Sequence, residues 1–288
     1  MTGRRLPRLA ALALAASRKA PGRGGPGGEK LTQPSLSVDS AAPELLLSPH
    51  WDDAALSCWS LPTDARALNV VNVFAGIPQG GARGSWETVL GVGDPGARAR
   101  ARMAEDARAL AAAGREPLNL PLLGAAHVRA AERGAGLAAL DRALAVALGA
   151  ASRVYVPAGI GGHADHLLTR RYGRMLLNAG MPVVLYAEAP YCLLHGWPSW
   201  VEGREPAPGR DVDAYWASFL ERVPELPPLR SALVVRLDER AARAKCEAVQ
   251  GYQASLSYGF RRMLADPGFH GFEVRWDLVR PGRALSRP

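Results

Sequence analysis

Two short clusters of histidine and aspartate, each placed just beyond an apolar run, constrain this chain more than any other feature. Leu45-Leu46-Leu47 is closed by Ser48-Pro49, and His50-Trp51-Asp52-Asp53 follows at once. Farther on, Val154-Tyr155-Val156 leads through a glycine-rich turn, residues 157–162, to His163-Ala164-Asp165-His166. A short run of large apolar residues bounded by turn formers is the pattern of a strand buried on both faces. In an open parallel sheet, ligands and catalytic groups collect outside the carboxyl ends of the strands. Both clusters therefore belong at one rim, where they can enclose a divalent metal and a water.

The rest of the chain supports that architecture by alternation. Further strands are expected at residues 67–75, at 182–187, at 231–236 and at 272–279, with a weak one at 118–123 because Pro121 interrupts it. Helices are expected at 54–59, 98–113, 130–150, 167–179 and 238–254, the last capped by Asp238. Strands separated by helical segments of this length predict a Rossmann-like α/β fold, a mostly parallel sheet with helices on both faces. The glycine-rich stretch 76–96 reads as a loop over the rim. Regularity fails from 190 to 228, where Trp197, Trp200, Tyr215 and Trp216 sit among several prolines. That segment is either a lid facing substrate or irregular packing.

Charge bears on partners. Of the formal net charge of +8, Arg4, Arg5, Arg8, Arg18, Lys19, Arg23 and Lys30 against Glu29 place +6 in the first 30 residues. A near-neutral remainder argues against an extended nucleic-acid surface. Residues 1–40 read as a disordered basic tail rich in Gly, Pro and Arg, and residues 41–288 as a single catalytic domain. Arg8 breaks the short apolar run of the tail, so a secretory signal is only faintly imitated and the cytoplasm is the expected compartment. No run is long enough to span a bilayer. Cys58, Cys192 and Cys246 are few and widely spaced, which is no disulfide framework and no CxxC metal knot. The abundance of Ala, Gly, Pro and Arg, with lysine only at 19, 30 and 245, suggests a GC-biased bacterial genome.

A catalytic zinc usually has three protein ligands and an open position. His50, Asp53 and His166 supply two imidazoles and a carboxylate. Asp52 and Asp53 are adjacent, so one can ligate while the other accepts a proton. His163 and Asp165 can supply a cation beside the metal. No G-x-S-x-G elbow is present, and residues 159–162 lack the third glycine of a dinucleotide turn.

The paired motifs Pro49-His50-Trp51-Asp52-Asp53 and His163-Ala164-Asp165-His166, with Ala54-Ala55-Leu56-Ser57 and Gly159-Ile160-Gly161-Gly162 beside them, resemble those of the PIG-L/LmbE superfamily. Its members are zinc-dependent deacetylases of N-acetylated amino sugars and related metabolites. Tyr186-Ala187-Glu188, and Lys245 with Tyr252-Gln253, resemble the family less specifically. The resemblance implies an LmbE-like fold and a single catalytic zinc on His50, Asp53 and His166. It further implies Asp52 as general base, and His163 with Asp165 as the pair that stabilises the oxyanion. The implied substrate is a small N-acylated molecule: an amino sugar, glycoconjugate or antibiotic intermediate. The chain departs from many members in having Trp51 where they have proline. It also has Gly161 where some place a tyrosine, so any help from a phenol must come from elsewhere. The alternatives are a metal-dependent phosphoester hydrolase and a catalytically silent binding protein.

Outside the motifs, His127, His195 and His270 read as surface or satisfied core residues and Cys58 as packing. Glu105 and Asp106 read as a solvated helix face.

Overall fold

Leu45, Leu46 and Leu47 are all fully buried, yet they divide between two sets of neighbours. Leu45 and Leu47 pack with Val71, Val154, Val156 and Leu185, whereas Leu46 packs with Val70, Tyr155, Val184 and Tyr186. Successive side chains of a strand point to opposite faces, so this division means a sheet covered on both sides. A computed structural model describes residues 42–64, 67–79, 93–128, 136–203 and 211–280. The expected tail lies outside them, as do residues 80–92 of the rim loop.

The sheet has seven strands: β1 (Glu44–Ser48), β2 (Leu68–Asn72), β3 (Leu118–Asn119), β4 (Arg153–Pro157), β5 (Val183–Tyr186), β6 (Leu233–Arg236) and β7 (Phe272–Asp277). Their order is β3-β2-β1-β4-β5-β7-β6. The first five are parallel, and β7 runs antiparallel to both β5 and β6. The mostly parallel α/β architecture is as the sequence implied. From β1 the chain builds outward to β2 and β3, then returns to add β4 on the other side. That reversal leaves a crevice at the carboxyl ends of β1 and β4, the switch point at which such folds bind ligands. His50 follows β1 and His163 follows β4.

The helices are α1 (Asp53–Cys58), α2 (Ser60–Thr63), α3 (Pro95–Ala112), α4 (Gly136–Gly149), α5 (Ala164–Ala179), α6 (Ser199–Glu202), α7 (Val212–Leu220), α8 (Glu239–Gln250) and α9 (Tyr258–Leu264). Several ends shift for local reasons. Helix α3 starts earlier than expected because the Asp94 side chain accepts from Gly96 N and Pro95 takes the first helical position. Helix α5 starts at 164, capped by His163, and stops at Gly180, whose φ of 109° suits glycine. Strand β3 keeps two residues, beyond which Pro121 makes only an isolated bridge with Phe74.

The segment 190–228 resolves in favour of packing for its tryptophans. Trp216 and Trp276 are buried, and the rings of Trp197 and Trp200 lie 5.8–6.2 Å from them. Such spacing suits edge-to-face and tilted aromatic packing, which builds core rather than a lid. From this segment it is Pro190, Tyr191 and Leu194 that reach the pocket described below.

Candidate metal centre

The loop after β1 is tied to itself before it holds anything else. Ser48 Oγ donates to His50 O at 2.6 Å and accepts from Ala54 N at 3.0 Å, bridging the turn. Asp53, in the first turn of α1, accepts the His50 amide on Oδ2 at 2.8 Å. That oxygen also lies 3.3 Å from His50 Nδ1 and 3.2 Å from His166 Nε2, and the two nitrogens are 3.3 Å apart. The three expected ligands thus place their donor atoms in a nearly equilateral triangle. Bonds of about 2.0–2.1 Å to a tetrahedral ion would set its ligand atoms about 3.3–3.4 Å apart. The residues present therefore fit a divalent metal. Donor atoms of His163 and of Asp52 also lie close to His50, within 4.8 Å in the groups His50–His163–His166 and His50–Asp52–Asp53.

Electrostatics agree. Burial opposes charge on Asp53, yet the His166 and His50 imidazoles hold its carboxyl far below the usual range. Burial likewise opposes charge on His166, but Asp53 and Glu188 push its pKa up to about 10. His50 is raised against burial by hydrogen bonds to Asp165 and Asp53. The centre thus draws positive charge toward itself, in protons or in a metal ion.

Each of the two imidazoles of the triangle is backed by a carboxylate. Asp165 Oδ2 pairs with His50 Nε2 at 3.0 Å, and its Oδ1 accepts from Ala125 N at 2.8 Å. Glu188 Oε1 faces His166 Nδ1 at 3.4 Å, and its Oε2 accepts from Ala158 N at 3.1 Å. Such partners fix the orientation of a ligating histidine and raise its basicity. A Cβ at Gly124 would come within 2.8 Å of Asp165 Oδ2, so only glycine leaves room for that carboxylate.

The Asp165 carboxylate serves His50, not His163. Its backbone N–H instead donates to His163 Nδ1 at 3.3 Å, which leaves the ring proton on Nε2. Burial, with the neighbouring His50 and His166, lowers the His163 pKa to about 4. That lowering favours the neutral imidazole. Glu188 was legible only as part of a strand end; a buried carboxylate on the same rim is the signal that marks it.

Asp52 is buried beside the triangle, grouped with His50 and Asp53 within 4.8 Å. Burial raises its pKa, against the pull of Arg102, whose Nη2 is 3.5 Å from Oδ1. The Arg102 guanidinium lies 5.2 Å over the ring of Trp51. Trp51 Nε1 donates to Asn119 Oδ1, which also receives Asn72 Nδ2. Asn72 donates in turn to Asp106, as does the Tyr252 hydroxyl. Trp51 thereby closes a polar chain that proline could not. Glu105 and Asp106 depart from the solvated face expected of them, since both are buried. Burial pushes Asp106 up to about 8. Glu105 accepts from Gln253 N, Ala254 N, Ser255 N and Ser255 Oγ.

Above the triangle opens a cavity of about 610 Å³. Asp52, His163, Arg98, Arg102 and His127 give it polar walls, and Phe74, Pro78, Leu194, Leu256 and Phe260 give it apolar ones. His127 is thus a pocket residue. His270 is buried with Nε2 2.7 Å from Leu264 O, the satisfied core histidine expected. All three cysteines are free and buried.

No protein-family model and no curated protein matches this chain. Solved structures do. The zinc inhibited form of teicoplanin deacetylase Orf2 superposes with a TM-score of 0.62 at 20% identity, over 84% of this chain and 100% of the other. A deacetylase–teicoplanin complex gives 0.60 at 19%, over 83% and 99%. The A40926 pseudoaglycone deacetylase Dbv21 gives 0.59 at 22%, over 84% and 99%. Identities this low establish the fold. With that fold, and with both motifs seated at its switch point, the chain is LmbE-like in architecture.

Proposed function

We propose that this protein is a zinc-dependent amidohydrolase that removes an acyl group, acetyl by preference, from an amine on an amino sugar, glycoconjugate or antibiotic intermediate. The observation that carries the reading is the donor triangle of His50, Asp53 and His166, with Asp52 buried beside it and outside it. A site built only to hold a metal has no use for that second carboxylate. The superposed structures, described as deacetylases of teicoplanin and of A40926 pseudoaglycone, support the substrate class. Three free cysteines suit a reducing, cytoplasmic setting.

His50, Asp53 and His166 would hold the ion. When bound, zinc would polarise the acyl carbonyl and acidify the attacking water. Asp52 takes a proton from that water as it adds to the amide carbon; its raised pKa makes it a better base than an ordinary aspartate. His163 donates a hydrogen bond from Nε2 toward the acyl oxygen as negative charge grows there. Asp52, now protonated and buried, returns its proton to the nitrogen as the C–N bond breaks. Asp165 and Glu188 hold the two ligand imidazoles in place throughout.

The test pairs elemental analysis with an amine-release screen over N-acyl sugars and acylated metabolites. Asp53→Ala and His166→Ala should lose metal, since each deletes a ligand. Asp52→Ala should keep it and lose about 10²–10⁴-fold in kcat, the range for a positioned base. Metal loss in Asp52→Ala with retention in Asp53→Ala would reverse the two roles, and a metal-loaded wild type that releases no amine would sink the reading.

A further inference from the structure

Strand β6 ends the sheet with one side unpaired. Its register to β7 runs without interruption from Leu233↔Arg275 to Arg236↔Phe272, and among the described residues no strand lies beyond it. The ladder fixes which backbone groups face outward. Leu237 N donates to Gly271 O, so Leu237 and Gly271 form a hydrogen-bonded pair. Such pairs alternate along an antiparallel ladder, which makes Val235 and Leu233 the next residues bonded inward. The N–H and C=O groups of Val234 and Arg236, and the C=O of Ala232, therefore point away from the sheet. The Ala232 N–H is taken by Leu229 O at 3.3 Å.

Native sheets guard such an edge with proline, a bulge or a charge. Strand β6, Leu-Val-Val-Arg, has no proline and no bulge, and its one charge is turned aside: the Arg236 guanidinium lies 5.1 Å over the ring of Phe272. Val234 packs on the main core. On the opposite face Leu233 is 59% exposed and Val235 half-buried, and neither belongs to the buried core.

We propose that β6 pairs antiparallel with β6 of a second copy of this chain, about a two-fold axis through Val234, joining two sheets into one. Outward-facing residues must meet outward-facing residues, so the registers that pair most of the strand put the axis at Leu233, Val234 or Val235. Charge chooses among them. Arg230 is exposed and makes no ion pair among the described residues. An axis at Leu233 sets it toward the second copy's Arg236, and one at Val235 toward the second copy's Arg240. The axis at Val234 sets it toward Asp238, twice over by symmetry. That register supplies four backbone bonds, Val234 N to Val234 O and Arg236 N to Ala232 O, each in both directions. Leu233 then lies beside the second copy's Val235, and the exposed apolar face is covered by its own mate. The pairing is independent of the amidohydrolase reading.

The full chain should sediment as a dimer at micromolar concentration in analytical ultracentrifugation. Arg230→Glu should raise the dissociation constant by about tenfold, since each dimer exchanges two attractive contacts for two repelling ones. Leu233→Lys, which sets a charge on the apolar face, should raise it at least as much. Both should keep the wild-type circular dichroism, because neither side chain belongs to the core. Cross-linking reads the register. Leu233 and Val235 of opposite copies form a non-hydrogen-bonded pair with Cα atoms about 4.5 Å apart, within disulfide reach. Under mild oxidation the double variant Leu233→Cys/Val235→Cys should give a covalent dimer and neither single variant should; the native cysteines are buried. A monomeric wild type would overturn the proposal. So would an undisturbed dimer in Arg230→Glu and Leu233→Lys, or cross-linking by a single variant, which puts the axis elsewhere. Should Leu233→Lys fail to fold, Arg230→Glu and the cross-link decide.

Discussion

Replacing Glu105 with alanine isolates how the cavity wall is held. The Glu105 carboxylate receives Gln253 N at 2.9 Å and Ala254 N at 2.7 Å on Oε1, and Ser255 N and Ser255 Oγ at 3.0 Å each on Oε2. No regular helix or strand pairing serves these three consecutive amides, because α8 has ended and α9 has not begun. At about 1.5 kcal/mol for each bond to a charged acceptor, the four contribute about 6 kcal/mol to the ordered loop. Gln253 is exposed, so water entering at that end would restore about half, leaving a loss of about 3 kcal/mol. Arg261 Nη1 on Gln253 O and Arg98 Nε on Ala254 O still tether the carbonyls, which keeps the damage local. Amide exchange at 253–255 should therefore accelerate by about 10²-fold, since each 1.4 kcal/mol is a factor of ten. Ser255, Leu256, Ser257 and Phe260 line the cavity, so KM should rise. Bound metal should not change, because Glu105 touches no member of the triangle. Unaltered exchange and KM would refute the clamp.

Glu188→Gln should weaken metal binding by about 10–100-fold while leaving the ligand count intact, measured by competition with a chelator. Asp106→Asn should alter how stability varies with pH. Burial raises the folded pKa to about 8, so the folded state holds a proton that the unfolded state releases above about 4. The stability this proton confers is complete below pH 4 and is lost as pH rises through 8. The variant does not titrate, and urea melts across pH 4–8 should show it gaining on wild type; parallel curves would contradict the assignment. Trp200→Ala should lower the melting temperature and leave KM alone, since its ring packs on Trp216 and Trp276 and not on the cavity.

What the sequence revealed was what neighbouring residues decide among themselves. Buried strands are legible at Leu45–Leu47 because three consecutive large apolar residues have few other uses. The triangle of donor atoms is legible because His50 and Asp53 lie three residues apart, and His166 ends a cluster whose strand, β4, neighbours β1. The rest depends on distant closure. Glu105 reaches its amides across 148–150 positions, and helical patterning cannot distinguish that buried carboxylate from a solvated one. The contact of the Asp165 carboxylate was hidden for the same reason. Adjacency to His163 in sequence suggested a pair, whereas the rim brings its carboxylate to His50 across 115 residues.

Helix α3 shows how one local pattern can serve the whole pocket. Arg102, Glu105 and Asp106 are three and four residues apart, which places them on a single face of a helix. Each is spent on a different wall. Arg102 engages Asp52 and the face of Trp51; Glu105 fixes the loop at 253–255; Asp106 ends the chain that runs through Asn72 and Asn119 to Trp51. Asp52, its neighbouring aromatic wall and the loop at 253–255 are thus referenced to one rigid element. A shift of α3 would move all three together, and a substitution at any one of the three would disturb only its own wall. Double variants across this face should accordingly be close to additive in KM when they touch separate walls. Arg102 and Asp106, which share Trp51, should couple. Additivity between those two would show that the polar chain through Asn119 transmits nothing, leaving Trp51 held by packing alone.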